Sequence, residues 1–447
     1  MRSFLRIIGF FALSLVCLNL QAQKRYKKKH ILKDLQELPG FSQAYVGFML
    51  FDPETEKVIA CQYDNKYMTP ASNTKLYTFY AGHKLLGKAV PAMQYVIQGD
   101  SLIFWGTGNP LLLHPKLTDR AALDFLQSRK EQLFYWPRPM ADSRFGPGWG
   151  WDDFNGYYSA EKSVFPIYGN SVEVLLDREH QSISLTPDYF ESQFSAKTWE
   201  KYRNRSLVQR AETLNQYEYQ IGEDPGDEVE DRIDTLIKPF QYSPELFLEL
   251  LSDTLNRSVQ FTAEKPANAA VQTLKSLPTD TLFKHMLQPS DNLMAEQILL
   301  MASGTMSDTL STRATIKWMK ENHFKGWQDE PLWVDGSGLS RYNMFTPRGT
   351  VKLLHELQKE VGETRLFELL PAGGESGTIK RFYAGENGPY VFAKTGTLSN
   401  NHCLSGYLKT DSGKTLIFTF MVNHYAHSTN MVKQSMEHML KKIRKAY

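Results

Sequence analysis

Cysteine is scarce in this chain. It has three among 447 residues, at positions 17, 61 and 403. Cys17 falls in an N-terminal leader, so a processed chain would keep only Cys61 and Cys403. That excludes a disulfide scaffold and leaves stability to a hydrophobic core. No Cys-x-x-Cys, His-Glu-x-x-His or clustered histidine–carboxylate spacing occurs, so the sequence points to no metal site and no cofactor. An excess of one charge is also missing. Lys and Arg number 51 against 49 Asp and Glu, a net charge of +2, which argues against nucleic acid as the main partner. The composition, 42% hydrophobic and 22% charged, fits an ordinary folded protein with room for two or three domains.

The N-terminus has its own character. "MRSFLR" is a short basic leader, "IIGFFALSLVCLNL" is an apolar run of 14 residues, and Ala22 offers a small residue for cleavage. This is the layout of a secretory signal peptide over residues 1–22, with an apolar run short for a membrane span. An uncleaved anchor is the alternative. Ser14-Leu15-Val16 before Cys17 matches a bacterial lipidation site poorly, so export to the periplasm without a lipid anchor is expected. The basic segment 24–30 that follows reads as a solvated, mobile tail, which an anionic membrane surface could attract.

Further along, "QAYVGFMLFD" and "KVIACQY" flank "PETE" and read as a hairpin over 44–62. "YVFAKTG", "HCLSGYLKT" and "KTLIFTFMVN" read as three more strands, the last two joined by the turn "DSG". A final amphipathic helix, "MVKQSMEHMLKKIRKAY", carries Lys and Arg where the helix dipole favours them. The two ends therefore form one antiparallel sheet with helices against it. Between them the texture changes: residues 86–240 are rich in Trp, Tyr, Gly and Pro and include the acidic stretch "GEDPGDEVEDRID". "SPELFLELLSDTL" then restarts helical periodicity, with Ser243 as cap. The middle reads as an insertion that splits one catalytic domain into residues 23–85 and 241–447.

Three short motifs carry the chemistry. "PASNTKLYTFY" holds Ser72 and Lys75 one helical turn apart, on a helix with Leu76, Phe79 and Tyr80 as its apolar side. "QPSDNLMAEQILL" places Ser290 and Asn292 where a helix begins. "FAKTGTLSN" places Lys394, Thr395, Gly396 and Thr397 on a strand. A serine hydroxyl is a poor nucleophile until a neighbour takes its proton. Lys75 can do so only when neutral, which requires burial and nearby cations to lower its pKa. Lys394 can supply that field and attract an anionic substrate terminus. Ser290 can relay a proton to the departing amine, and Asn292 can hold a substrate amide and orient Lys75. Gly396 lets an extended peptide approach the strand. The N–H groups of Ser72 and Thr397 would form an oxyanion hole.

Ser-x-x-Lys, Ser-x-Asn and Lys-Thr-Gly in this order occur together in penicillin-binding proteins and class A β-lactamases. The spacing selects between them. Ser72 and Ser290 are 218 residues apart, and the chain resembles the class C low-molecular-mass penicillin-binding proteins, serine D-Ala-D-Ala carboxypeptidases and endopeptidases that carry a large insertion there. "GTGNPLL", "VDGSGLSRYN" and "LPAGGESGTIKRF" match as well, so the likeness runs from about residue 40 to the end. It implies an α+β fold: a serine β-lactamase/transpeptidase-like domain with a five-stranded antiparallel sheet, helices on both faces and an inserted domain. It implies peptidoglycan stem peptides as substrates and β-lactams as covalent inhibitors. It also implies that Asp152 in "WGWDDFNGYY" binds the free amine of the peptide's diamino acid, with Trp149, Tyr157 and Arg341 near the same pocket. Core packing for Trp149 and Tyr157, a helix cap for Asp152 and an ion pair for Arg341 are the structural alternatives. The family's "GGGDP" reads "GTGNP" here, with Asn109 in place of aspartate, so the anchoring of the insertion could differ.

Two rival readings remain. A class A β-lactamase needs a Glu-x-x-Leu-Asn segment to position deacylating water, and none lies between Asn292 and Lys394. A non-catalytic peptidoglycan-binding protein on the same scaffold would have no use for Lys75. The sequence does not divide carboxypeptidase from endopeptidase activity.

Overall fold

The computed structural model describes residues 26–224, 226, 232–265 and 270–447. The leader, with Cys17 and Ala22, and residues 225 and 227–231 of the acidic stretch 222–234 lie outside them. The chain forms two compact units: Ala71–Met344, and the chain up to Pro70 together with Phe345–Tyr447.

The unit built from both chain ends holds the expected sheet. Its strands run in the order Val391–Leu398, Asn401–Lys409, Thr415–Asn423, Tyr45–Asp52 and Lys57–Gln62, all antiparallel. Alternation along each strand sorts side chains to two faces. Phe48, Leu50, Phe418 and Phe420 pack with Ile31 and Leu35 of helix Lys28–Glu37 and with Met436, Met439 and Leu440 of helix Thr429–Ala446. The opposite face meets helix Pro347–Val361, where the Phe51 ring lies against His355 and the Tyr407 hydroxyl donates to the Leu354 carbonyl. Helices therefore cover both faces.

From Tyr26 onward the basic segment is not a loose tail. Helix Lys28–Glu37 begins within it. Tyr26 is buried, and its hydroxyl donates to Asp34 at 2.7 Å while Lys442 pairs with the same carboxylate at 2.8 Å. The tyrosine that interrupts the basic run supplies an apolar anchor that charge counting overlooks. Among the described residues no helix is long and apolar enough to cross a membrane.

In the unit Ala71–Met344, five strands run in the order Val259–Phe261, Gln132–Tyr135, Ser101–Gly106, Ala89–Gln98 and Gln272–Pro278. Two three-stranded sheets accompany them. Helix Pro244–Leu255 is capped by Ser243, whose hydroxyl accepts from the Leu246 N–H at 3.1 Å. Phe247 and Leu251 on this helix share one core with Phe104, Phe165 and Val174. The packed insertion thus runs to Pro278, past the boundary at 240 drawn from texture. The helix that restarts the periodicity buries its apolar face in the insertion, not in the catalytic sheet. Asn109 sits in the same unit, buried. Its amide N donates to the Pro91 carbonyl at 3.0 Å and its oxygen accepts from Leu111 at 2.8 Å. An aspartate could not make the first bond, so the anchoring here is that of a neutral amide.

Candidate active site

The Ser72 helix starts with a tight turn. Ala71–Asn73 is one turn of 3-10 helix leading into Thr74–Leu85. Ala71 has φ +47°, a left-handed conformation unusual for a residue with a Cβ. The loop at 336–338 holds it there. Thr78 donates to the Gly336 carbonyl at 2.6 Å. Gly338 has φ +82°, and a Cβ on it would come within 1.9 Å of the Ala71 carbonyl oxygen. Only glycine fits that approach.

Ser72 and Lys75 lie three residues apart and so share a helix face. Ser72 is half-exposed, while Lys75 is completely buried. Lys75 Nζ lies 3.0 Å from Ser72 Oγ, 2.7 Å from Asn292 Oδ1 and 2.7 Å from the Ser337 carbonyl oxygen. Burial pulls its pKa down to about 8, while the carboxylates of Asp335, Asp291 and Glu296 pull the other way. Desolvation thus does the lowering, and acidic neighbours oppose it. Of the two causes expected, burial is the one that acts within this unit.

Asn292 opens a helix that is buried on all sides through Ser303, as suits a central helix. Asp291 caps it, accepting from the Met294 N–H at 2.9 Å, and Ser290 precedes it at φ +68°. The Asn292 amide N donates to the Tyr158 carbonyl at 2.8 Å. One side chain therefore connects Lys75 to the "WGWDDFNGYY" segment of the insertion.

That segment is attached at a second point. Trp149 Nε1 donates to Asp335 at 2.9 Å, so Trp149 is held by a hydrogen bond and is not mere core. Asp152 is exposed, and its side chain caps no helix. Tyr157 is 70% exposed, which excludes core packing for it as well. Arg341 is exposed and forms no ion pair among the described residues. Asp152, Tyr157 and Arg341 are thus exposed, while Trp149 is tied to Asp335.

Sequence reading missed two buried carboxylates. Asp335 accepts from the N–H groups of Gly338 and Ser340, at 2.9 and 2.7 Å, and from the Asn343 amide at 2.7 Å. Glu296 accepts from Gly336 N–H and from Ser337 N–H, the latter at 2.8 Å. Burial, helped by the Asp335 charge, raises the Glu296 pKa to about 7. Together they fix the loop whose Ser337 carbonyl receives Lys75. Glu296 was findable, as the lone acid in the apolar run "NLMAEQILLMAS".

The Lys-Thr-Gly motif belongs to the other unit. It lies on Val391–Leu398, an edge strand of the five-stranded sheet. Lys394 is buried, and its Nζ donates to the Thr395 carbonyl at 2.9 Å. Thr395 meets Thr378 at 2.6 Å, and Thr397 meets His402 Nδ1 at 2.8 Å. Burial, with Lys433 and Lys394 nearby, lowers the His402 pKa to about 3, so this histidine is neutral. On the outer edge the Val391 carbonyl and the Ala393 N–H bond to Gly373 and Pro371. By the two-residue period, the N–H groups of Thr395 and Thr397 point the same way.

Metal-ligating side chains do come together, although no spacing betrayed them. One ligand atom each from His114, His285 and Asp291 lies within 4.8 Å of the others. The sequence expectation of no metal site rested on local spacing; His285 and Asp291 are six residues apart, but His114 lies 171 residues before His285.

Comparison with known proteins decides the family. The model of the D-Ala-D-Ala carboxypeptidase 3 (S13) family matches residues 27–444. The chain belongs to that family. It is a serine-type peptidase of the class C low-molecular-mass penicillin-binding group, as the motifs implied. It is similar to D-alanyl-D-alanine carboxypeptidase DacB of Haemophilus influenzae, 22% identical over 88% of this chain and 87% of the relative. The crystal structure of penicillin-binding protein 4 (dacB) from the same organism superposes with a TM-score of 0.74 at 20% identity, covering 93% of this chain and 99% of that one. Its complex with a novel β-lactam matches at 0.67 and 19% identity, with the same coverage. At these identities the structures bear on the fold, which is the transpeptidase-like α+β fold expected.

Proposed function

We propose that this S13 peptidase is exported and cleaves the D-Ala-D-Ala bond of peptidoglycan stem peptides through an acyl-enzyme on Ser72. Neutral Lys75 takes the proton from Ser72 Oγ as that oxygen attacks the carbonyl carbon of the penultimate D-Ala. The tetrahedral intermediate collapses, the C–N bond breaks, and the proton passes through Ser290 to the departing amine. Water then repeats the sequence on the ester, releasing the shortened peptide and regenerating Ser72. In the endopeptidase reaction the departing amine belongs to a cross-linked peptide.

The observation that carries this reading is the buried Lys75 ammonium site, 3.0 Å from Ser72 Oγ and with its pKa drawn down to about 8. A lysine held only for structure gains nothing from a hydroxyl poised for proton transfer. The roles of Lys394 in attracting the substrate carboxylate, and of Thr395, Gly396 and Thr397 in receiving the peptide backbone, come from the family resemblance. The outward N–H of Thr397 supports an oxyanion role. Asp152 is proposed to meet the free amine of the diamino acid, with Trp149, Tyr157 and Arg341 around it, and its exposed carboxylate supports that. The leader at residues 1–22 supports periplasmic export, and the exposed Lys27–Lys29 leave peripheral contact with an anionic membrane open to test.

Incubation of the purified enzyme with pentapeptide and cross-linked muropeptides, followed by mass spectrometry, tests the reading. Loss of one terminal D-Ala, or conversion of dimers to monomers, is expected. Intact substrates alongside rapid penicillin hydrolysis would refute it in favour of a β-lactamase.

A further inference from the structure

We propose that His114, His285 and Asp291 form a binding site for a divalent transition ion of the zinc type. It is built around the helix start that carries Ser290 and Asn292. His114 follows the "GTGNP" turn, His285 lies in the last turn of helix Thr279–Leu287, and Asp291 caps the next helix. Their ligand atoms converge to within 4.8 Å.

An independent observation supports a ligand there. His285 Nε2 is buried and has no hydrogen-bond partner. It lies 3.6 Å from Asp291 Oδ2, beyond hydrogen-bond range. Buried imidazole nitrogens are ordinarily paired, and here the Asp291 carboxylate faces this one at ion-pair distance without closing a hydrogen bond.

The Asp291 carboxylate can serve two purposes at once. Oδ1 accepts from the Met294 N–H, which leaves Oδ2 for an ion at no cost to the helix cap. The two imidazole rings stand edge-on, with centroids 5.3 Å apart and planes at 85°, so their nitrogen lone pairs can converge without the rings colliding. Neutral imidazole is the form that ligates. His114 Nδ1 accepts a long bond of 3.2 Å from the Lys116 N–H, and this contact is given up when the ring turns a lone pair to the ion.

Two imidazoles and one carboxylate suit zinc with a water in the fourth position, while calcium and magnesium prefer all-oxygen sites. Tetrahedral bonds of about 2.0–2.1 Å require the donors to draw in by roughly an ångström. All three side chains are only part-buried, so an ion can reach them. Binding there would brace the turn that holds Ser290 at φ +68°.

The experiment uses the full processed chain, stripped with a chelator. Zn2+ is titrated against a chromophoric competitor, and Co2+ is followed by its visible absorption. One saturable zinc site per chain in the micromolar range is expected, with the intense bands of four-coordinate cobalt. His285→Gln and Asp291→Asn should each weaken zinc binding by at least about tenfold, the usual scale for disturbing a metal site. Asparagine caps a helix as well as aspartate does, so Asp291→Asn keeps the fold and carries the test if His285→Gln does not fold. Absence of saturable binding in the micromolar range, or binding unchanged in Asp291→Asn, would overturn the proposal.

Discussion

Acylation of this enzyme should rise steeply with pH below 8, because only the neutral form of Lys75 can accept the Ser72 proton. With a pKa of about 8, about 9% of Lys75 is neutral at pH 7, against about 0.03% for an ordinary lysine at 10.5. Burial therefore increases the reactive fraction by roughly 300-fold. The sign is fixed: a base needed unprotonated loses rate as pH falls through its pKa. The second-order rate of benzylpenicillin acylation should climb about ninefold from pH 6 to 7 and about fivefold from 7 to 8, then by less than about twofold to pH 9. Stopped-flow quenching of protein fluorescence, or timed intact-mass measurements, can follow it, since the penicillin carboxylate stays ionised throughout. Lys75→Arg keeps a cation that does not deprotonate, so its acylation should fall by at least about 10² at every pH. A flat wild-type profile between pH 6 and 8, or an Arg variant near the wild-type rate, would refute the assignment of Lys75 as base.

Gly338→Ala should disrupt acylation and lower stability by more than about 2 kcal/mol, because its Cβ meets the Ala71 carbonyl at 1.9 Å in a left-handed backbone. Denaturant melts compared with penicillin labelling check this. Asp152→Asn should lower kcat/KM about three- to tenfold for a stem peptide with a free amine, the low end for a charge-assisted bond because the carboxylate is exposed. Penicillin acylation by the same variant should be unchanged, and a parallel fall in both would make Asp152 structural. Thiol titration of the denatured processed protein should find two free groups. Cys61 and Cys403 are both free and sit with two strands between them, a gap of about 14 Å at ordinary strand spacing, twice the reach of a disulfide.

The sheet was legible because its strands alternate cleanly and its turns are marked. The expected runs "YVFAKTG", "HCLSGYLKT" and "KTLIFTFMVN" agree with the observed strands to within a residue or two. The Ser243 cap was legible for the same local reason. The insertion's extent was not, because Pro244–Leu255 carries an apolar stripe that fits either core equally well, and only packing decides. Within the site, Ser72, Lys75 and Asn292 were found by motif and are joined by hydrogen bonds. Asp335 and Glu296 escaped because each accepts from backbone N–H groups, Asp335 within its own loop and Glu296 from that same loop 40 residues on, and such partners leave no signature in residue type. The histidine–aspartate cluster escaped because only tertiary folding brings His114 to His285 and Asp291.

The central claim is that Ser72 is the nucleophile, and intact-mass spectrometry with peptide mapping after exposure to benzylpenicillin tests it most directly. The account predicts one penicilloyl group per chain, on the peptide containing Ser72, and none on a folded Ser72→Ala variant. An adduct on any other peptide, or one that persists in the alanine variant, would contradict it.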